Sequence, residues 1–161
     1  MSSHAKAGLS GNQKRKMKSA ARFFAVQALY QMEHSGQTFD QVRLEFLDHR
    51  FGEDFDDYSM LEGDVDLFTL LLQEAVNHQA LVDQMTDRAL VAKWPLGRID
   101  STLRALFRAA GAELTQGDTP AKVVIVEFVQ VAQAFFPEGK EGKFVNAVLD
   151  HMAREAKPEE F

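Results

Sequence analysis

Apolar positions recur at helical spacing along almost the whole chain. Between Ala20 and Ser35, residues Ala21, Ala25, Ala28, Leu29 and Met32 fall on one stripe, and Gly36 offers a stop. Thr38-Phe39-Asp40-Gln41 has the capping-box arrangement and predicts a short second helix with Val42, Phe46 and Leu47 inward. Phe51 to Met60, rich in Gly and Asp, breaks the period and predicts a mobile acidic loop. The period resumes at Asp64, with Val65, Phe68, Leu72, Ala75 and Val76 on one face. It lapses at Asn77-His78 and returns through Leu81, Met85 and Leu90 as a separate helix. Lys93-Trp94-Pro95-Leu96-Gly97 reads as a linker, because Pro and Gly this close cannot both lie inside a stable helix.

Ile99, Leu103, Leu106, Phe107, Ala110 and Leu114 define a further helix that ends at Thr115-Gln116-Gly117. Asp118-Thr119-Pro120 predicts the next start, with Thr119 as N-cap and Pro120 in the first turn. Val123 to Val131 favours a strand by residue type alone. The Pro start, the length and the spacing of Val124, Phe128, Val131, Ala132 and Phe135 decide for a helix, apolar nearly all round and therefore central. After a loop over Pro137–Gly142, Phe144 to Arg154 predicts a last helix with Val145, Val148, Leu149 and Met152 inward. The fold class is all-α, with about seven helices, no strand pair and no solenoid repeat.

Composition changes this picture through distribution rather than totals. The 161 residues carry 18 Lys and Arg against 24 Asp and Glu, a net charge of −6. Six of the bases, Lys6, Lys14, Arg15, Lys16, Lys18 and Arg22, precede the first acid, Glu33, so the start is +6 and the remainder −12. That asymmetry is the pattern of a basic arm on an acidic body. Met1 to Gly11 is small and polar and predicts disorder. Residues 1–17 are expected to form a disordered basic arm unless residues 12–18 extend the first helix. With no Cys, a disulfide framework, a thiolate zinc site and a thiol nucleophile are all excluded. No apolar run approaches a membrane span, and no signal peptide is expected.

Catalytic patterns are missing. The five His have no metal-ligand spacing, and there is no G-x-S-x-G elbow. Gly139-Lys140-Glu141-Gly142-Lys143 lacks the frame of a phosphate-binding loop, since Phe144 follows where Ser or Thr is needed. The sequence points to no enzyme and no cofactor. Two regions stand apart instead. One is the basic arm with the outer face of the opening helix, where Arg22, Gln27 and Tyr30 are the polar members. Lys and Arg attract phosphate, and an exposed Tyr can stack on an unpaired base. The other is Lys140–Asn146, where a Gly-flanked turn delivers Lys143, Phe144 and Asn146 to a helix N-terminus, a setting that favours anions. Each has an ordinary reading beside it: a solvated tail, a half-buried Tyr30, a core Phe144 and a solvent-facing Asn146.

Ala25-Val26-Gln27-Ala28-Leu29-Tyr30-Gln31 and Lys143-Phe144-Val145-Asn146-Ala147-Val148-Leu149-Asp150 together resemble the two signature segments of the NusB family of bacterial antitermination factors. Arg98-Ile99-Asp100, Leu106-Phe107-Arg108 and Glu113-Leu114 resemble its middle helix. Pro120-Ala121-Lys122-Val123 with Glu127 resembles the start of its penultimate one. The likeness covers roughly residues 18–154. It implies two small helical bundles packed across each other, subdomains of about 18–78 and 79–157. It also implies a cytoplasmic, non-enzymatic adaptor that binds boxA single-stranded RNA with NusE, a small-subunit ribosomal protein. That pair joins RNA polymerase and other Nus factors and supports ribosomal RNA transcription.

Carried onto matching positions, the family's RNA surface falls on Lys18, Arg22, Gln27, Tyr30, Lys143, Phe144 and Asn146, with Lys14, Arg15 and Lys16 joining on charge. NusE is expected on roughly Leu81 to Arg108. Two alternatives accompany this reading. One is a homodimeric protein-interaction module. The other is a NusB-like module detached from an RNA cytosine methyltransferase, which requires the chain to be a fragment.

Overall fold

A computed structural model describes residues 10–49, 54–55, 58–59, 64–90 and 99–161. Helix α1 runs over Gly11–Ser35. Ser10 caps it: the hydroxyl accepts from the Gln13 N–H at 3.1 Å, and the Gln13 side chain accepts from the Ser10 N–H at 2.9 Å. The expected disorder of residues 1–17 therefore gives way to helix from Gly11, and residues 1–9 lie outside the described residues. Two causes are visible. The capping box satisfies first-turn donors, and the Asp64 N–H donates to the Met17 carbonyl at 3.0 Å, tying the extension to the start of the Val65–Asn77 helix. Gly36 ends α1 at φ +74°, a left-handed conformation that favours glycine.

Helix α2 spans Phe39–His49 and opens with the expected capping box, Thr38 and Gln41 exchanging bonds of 2.9 and 3.2 Å. Val42 and Phe46 are buried. Within the acidic 51–60 segment, Asp54 pairs with Ser59 and Phe55 with Tyr58, a two-residue antiparallel ladder formed by β1 (Asp54–Phe55) and β2 (Tyr58–Ser59). The rest of that segment and the expected linker at 93–97 lie outside the described residues. Helix α3 covers Val65–Asn77, and the Asp64 carboxylate accepts from the Leu67 N–H at 2.9 Å.

Helix α4, Gln79–Ala89, starts afresh at His78. That restart shifts the helical phase: Val82 is buried, whereas Leu81, expected inward, is 47% exposed. Val76, at the end of α3, also faces out. Val82 packs over Gly111, where an added Cβ would lie 2.3 Å from the valine Cγ1. Glycine is what lets α4 meet its neighbour.

That neighbour, α5 (Ser101–Gln116), is the central helix. Ala105, Ala109, Ala110, Gly111 and Ala112 are all buried and small, so α1, α3, α4, α6 and α7 can pack around it. Helix α6, Ala121–Phe135, is the candidate for that position on hydrophobicity, yet Val123 and Val126 are exposed, the latter 55%. Apolar content marks α6, but small side chains decide which helix is enclosed. Pro120 rather than Thr119 occupies the N-cap of α6, and the Thr119 hydroxyl donates instead to Glu113 at 2.6 Å. The missing cap comes from the C-terminus. After α7 (Glu141–Ala156), a 3₁₀ turn over Pro158–Glu160 brings the Glu160 carboxylate to the Ala121 N–H at 2.8 Å. Lys157 donates to the Thr119 carbonyl at 2.7 Å beside it. Among the described residues the architecture is all-α, with seven α-helices around one apolar core.

Candidate nucleic-acid interface

Helix α1 carries the first expected patch, and its cations divide. Lys14, Arg15, Lys16 and Lys18 are exposed on the first two turns. Lys14 and Lys18 flank a groove of about 310 Å³ with Met17 and Asp64. Arg22, one turn beyond Lys18, does the opposite. It is 3% exposed, with Nε and Nη2 donating to the two Glu113 oxygens at 2.8 and 2.7 Å and Nη1 to Glu127 at 3.1 Å. Ser19 donates to the same Glu127 oxygen at 2.7 Å. Burial opposes the charge of Arg22, but hydrogen bonds and attraction from Glu113, then Glu127, hold its pKa above the usual arginine value. Arg22 is thus a strut joining α1 to α5 and α6. Its expected place among the RNA-facing residues is corrected: all three guanidinium nitrogens donate to Glu113 or Glu127, and the side chain is buried away from the surface.

The outer face of α1 forms one wall of a groove of about 410 Å³, lined among others by Gln27, Tyr30, Gln31, His34, Thr102 and Phe135. Tyr30 is 41% exposed at its mouth, with the His34 ring 4.3 Å away. Phe135, on another wall, stacks on Phe23 at 4.7 Å. Gln31 is occupied, donating to Gln37 at 2.7 Å and Glu45 at 2.8 Å. Gln27 is not: its Oε1 is buried and has no hydrogen-bond partner.

The second patch sits at the start of α7. Gly139 turns the chain at φ +82°, and Lys140 follows at the N-cap with no side-chain bond to the first turn. Lys143 and Asn146 are exposed. Phe144 is half-buried, its ring edge-on to Phe107 of α5 at 6.2 Å, so packing fixes its position while part of it stays accessible. Phe135, at the end of α6, joins the α1 groove to the loop leading into this patch.

On the expected NusE helices, Arg104 and Arg108 are held by acids. Glu33 receives hydrogen bonds from both, with Arg108 also donating to Asp83 at 3.0 and 2.9 Å. The hydrogen bond from Arg104 holds the Glu33 carboxyl below the usual range; partial burial opposes it, and the charges of Arg104 and Arg108 add to it.

Sequence reading missed Glu113, Glu127, Thr119 and Ser19 as a set, and Thr102 and Phe135 as groove walls. One signal was present. Glu113 stands between Ala112 and Leu114, and Glu127 between Val126 and Phe128, single acids in apolar surroundings that require partners. Among the described residues, no group of three or more His, Asp or Glu could hold a metal ion, and no helix is long and apolar enough to cross a membrane.

Comparison with known proteins places the chain. The model of the NusB family matches residues 19–154. The transcription antitermination protein NusB of Maricaulis maris is 48% identical over 147 residues, 91% of each chain. The NusB of Caulobacter vibrioides is 44% identical over 141 residues, 87% of this chain and 94% of that one. The structure of T. maritima NusB superposes with a TM-score of 0.70 at 28% identity, covering 89% of this chain and 96% of its own. The same fold, at TM-score 0.70 and 23% identity, occurs in a crystal structure of NusB and NusE in complex with dsRNA, over 89% of this chain and 98% of that one. With the family model covering most of its length and relatives of this closeness, the chain belongs to the NusB family of transcription antitermination proteins.

Proposed function

We propose that this chain is a cytoplasmic antitermination adaptor that binds boxA-type single-stranded RNA jointly with NusE and supports ribosomal RNA transcription alongside RNA polymerase and other Nus factors. The family is one of non-enzymatic antitermination factors. The observation that carries the reading is the continuous match to named antitermination proteins across nearly the whole chain. The crystal complex of the fold neighbour contains NusE and double-stranded RNA, which supports NusE and RNA as the partners of this chain.

The surface chemistry supports an RNA partner. Lys14, Arg15, Lys16 and Lys18 supply phosphate attraction without sequence preference. Gln27 and Tyr30 on α1, and Lys143, Phe144 and Asn146 on α7, add groups that can stack on or bond to bases. Arg22 contributes by holding α1 in place. The acidic remainder of the chain suits a basic ribosomal protein and discourages indiscriminate RNA binding.

Titration of labelled boxA and scrambled single-stranded RNA, with and without NusE, tests the reading. Tighter binding to boxA when NusE is present is the expected result. Equal affinity for both RNAs in the presence of NusE overturns it.

A further inference from the structure

We infer that the C-terminal clip, Lys157 and Glu160, positions the basic turn of α1, acting across the fold through Thr119 and Glu113. This role rests on the RNA-binding reading above. It gives Lys157, Glu160 and Thr119 a part in binding although none of them lies on the surface assigned to RNA.

The basic turn needs an anchor from elsewhere. None of residues 10–19 is buried, so the stretch of helix that carries Lys14, Arg15, Lys16 and Lys18 is not held by a core. Besides the Ser10 cap and the Met17–Asp64 bond, what fixes it is polar. Ser19 and Arg22 both donate to Glu127 Oε1, at 2.7 and 3.1 Å, and Arg22 also grips Glu113 with two bonds.

Glu113 is in turn set by the far end of the chain. Its Oε2 accepts from Arg22 Nη2 at 2.7 Å and from the Thr119 hydroxyl at 2.6 Å. Thr119 is held on its other side, its carbonyl accepting from Lys157 Nζ at 2.7 Å. The same lysine reaches the Gly117 carbonyl at 3.4 Å, and the Ala121 N–H donates to Glu160 at 2.8 Å. The turn between α5 and α6 is thus closed by the clip, since α6 has no side-chain cap of its own. Glu113 is fully buried, and no water replaces a donor lost there. Release of the clip lets Thr119 move off Glu113, and the hold of Arg22 and Ser19 on α1 loosens with it.

Two measurements on the full chain test this: amide hydrogen exchange of residues 11–19 in the free protein, and titration of labelled boxA RNA with NusE present. Glu160→Ala should speed the exchange and weaken RNA binding, each by roughly two- to fivefold. Glu160→Gln keeps an amide oxygen for the Ala121 N–H and should match wild type in both. Thr119→Val removes the hydroxyl but leaves the backbone partners of the clip in place, so it should reproduce both changes. Adding Glu160→Ala to Thr119→Val should then cost less than about twofold more. Thr38→Ala, which uncaps α2 instead, controls for stability: it should lower Tm to a like degree and leave exchange at 11–19 and RNA affinity unchanged. Unchanged exchange or affinity in Glu160→Ala overturns the positioning role, as does Thr38→Ala reproducing its effects or full additivity with Thr119→Val. A wild type that does not distinguish boxA from scrambled RNA overturns the RNA-binding reading and this role with it. Selective wild-type binding that Glu160→Ala leaves intact overturns the positioning role alone.

Discussion

Arg22→Ala discriminates most sharply between a surface cation and a buried strut. The substitution removes three hydrogen bonds and leaves Glu113, which is 0% exposed, with the Thr119 hydroxyl as its one donor among the described residues. Removing one member of a buried ion pair costs about 3–5 kcal/mol, chiefly because the remaining charge is stranded. For a domain of this size each kcal/mol moves Tm by about 2–4 °C, so a loss of roughly 8–16 °C is expected for about 4 kcal/mol. Because the pair is buried, the loss should persist at high salt. Arg22→Met combined with Glu113→Leu should recover much of it, since an apolar pair of similar volume strands no charge on α5. Thermal and urea denaturation of the three proteins measure this directly. A single variant that melts within about 2 °C of wild type but loses RNA affinity would refute the strut and return Arg22 to the RNA surface.

Three further outcomes follow from the same geometry. Replacing Lys14, Arg15, Lys16 and Lys18 with Gln should leave Tm unchanged and reduce the slope of log affinity against log salt by about 0.7 for each phosphate no longer neutralised. An unchanged slope would show that these cations do not touch RNA. Glu33→Gln should destabilise at pH 7. The native carboxyl is held below its ordinary value of 4.5, so its contribution is present above that value and fades as pH falls through the depressed one. Urea midpoints of the two proteins should therefore converge in acid, and a constant gap would refute the assignment. Glu160→Ala should cost about 1 kcal/mol by uncapping α6, read as a Tm lower by about 2–4 °C. No change would show that the C-terminal clip adds nothing.

What could be read from the sequence was what is decided within a turn or two of chain. Gly36, the Thr38–Gln41 box, the Asp64 start and the break at His78 each depend on neighbours in sequence, and each appears as expected. The misreadings depend on distant residues. Arg22 lies in a basic run and looks exposed, but Glu113, 91 positions away, draws it inward. Thr119 has the form of an N-cap until Glu113 claims its hydroxyl and Glu160 takes over the cap. Leu81 and Val82 exchange roles because the chain restarts its phase between two helices, and Gly111 accepts the smaller valine. Residues 11–17 have no apolar period, so helix there depends on the Ser10 cap and the Met17–Asp64 bond. Of the expected RNA-facing set, the exposed lysines, Tyr30, Lys143 and Asn146 are on the surface.

The unbroken course of α1 also fixes a length. At about 1.5 Å per residue, Lys16 and Tyr30 are held some 21 Å apart, and about 100° per residue turns Arg15 and Lys16 to within roughly 60° of the tyrosine. A stacked strand advances ~3.4 Å per nucleotide, so a strand touching both ends would span about six nucleotides. Helix α1 is in that sense a gauge with a set angle as well as a set distance. Deleting one residue between Phe23 and Tyr30 would shorten it by only ~1.5 Å but swing the basic end by ~100°, taking Arg15 and Lys16 out of line with the groove.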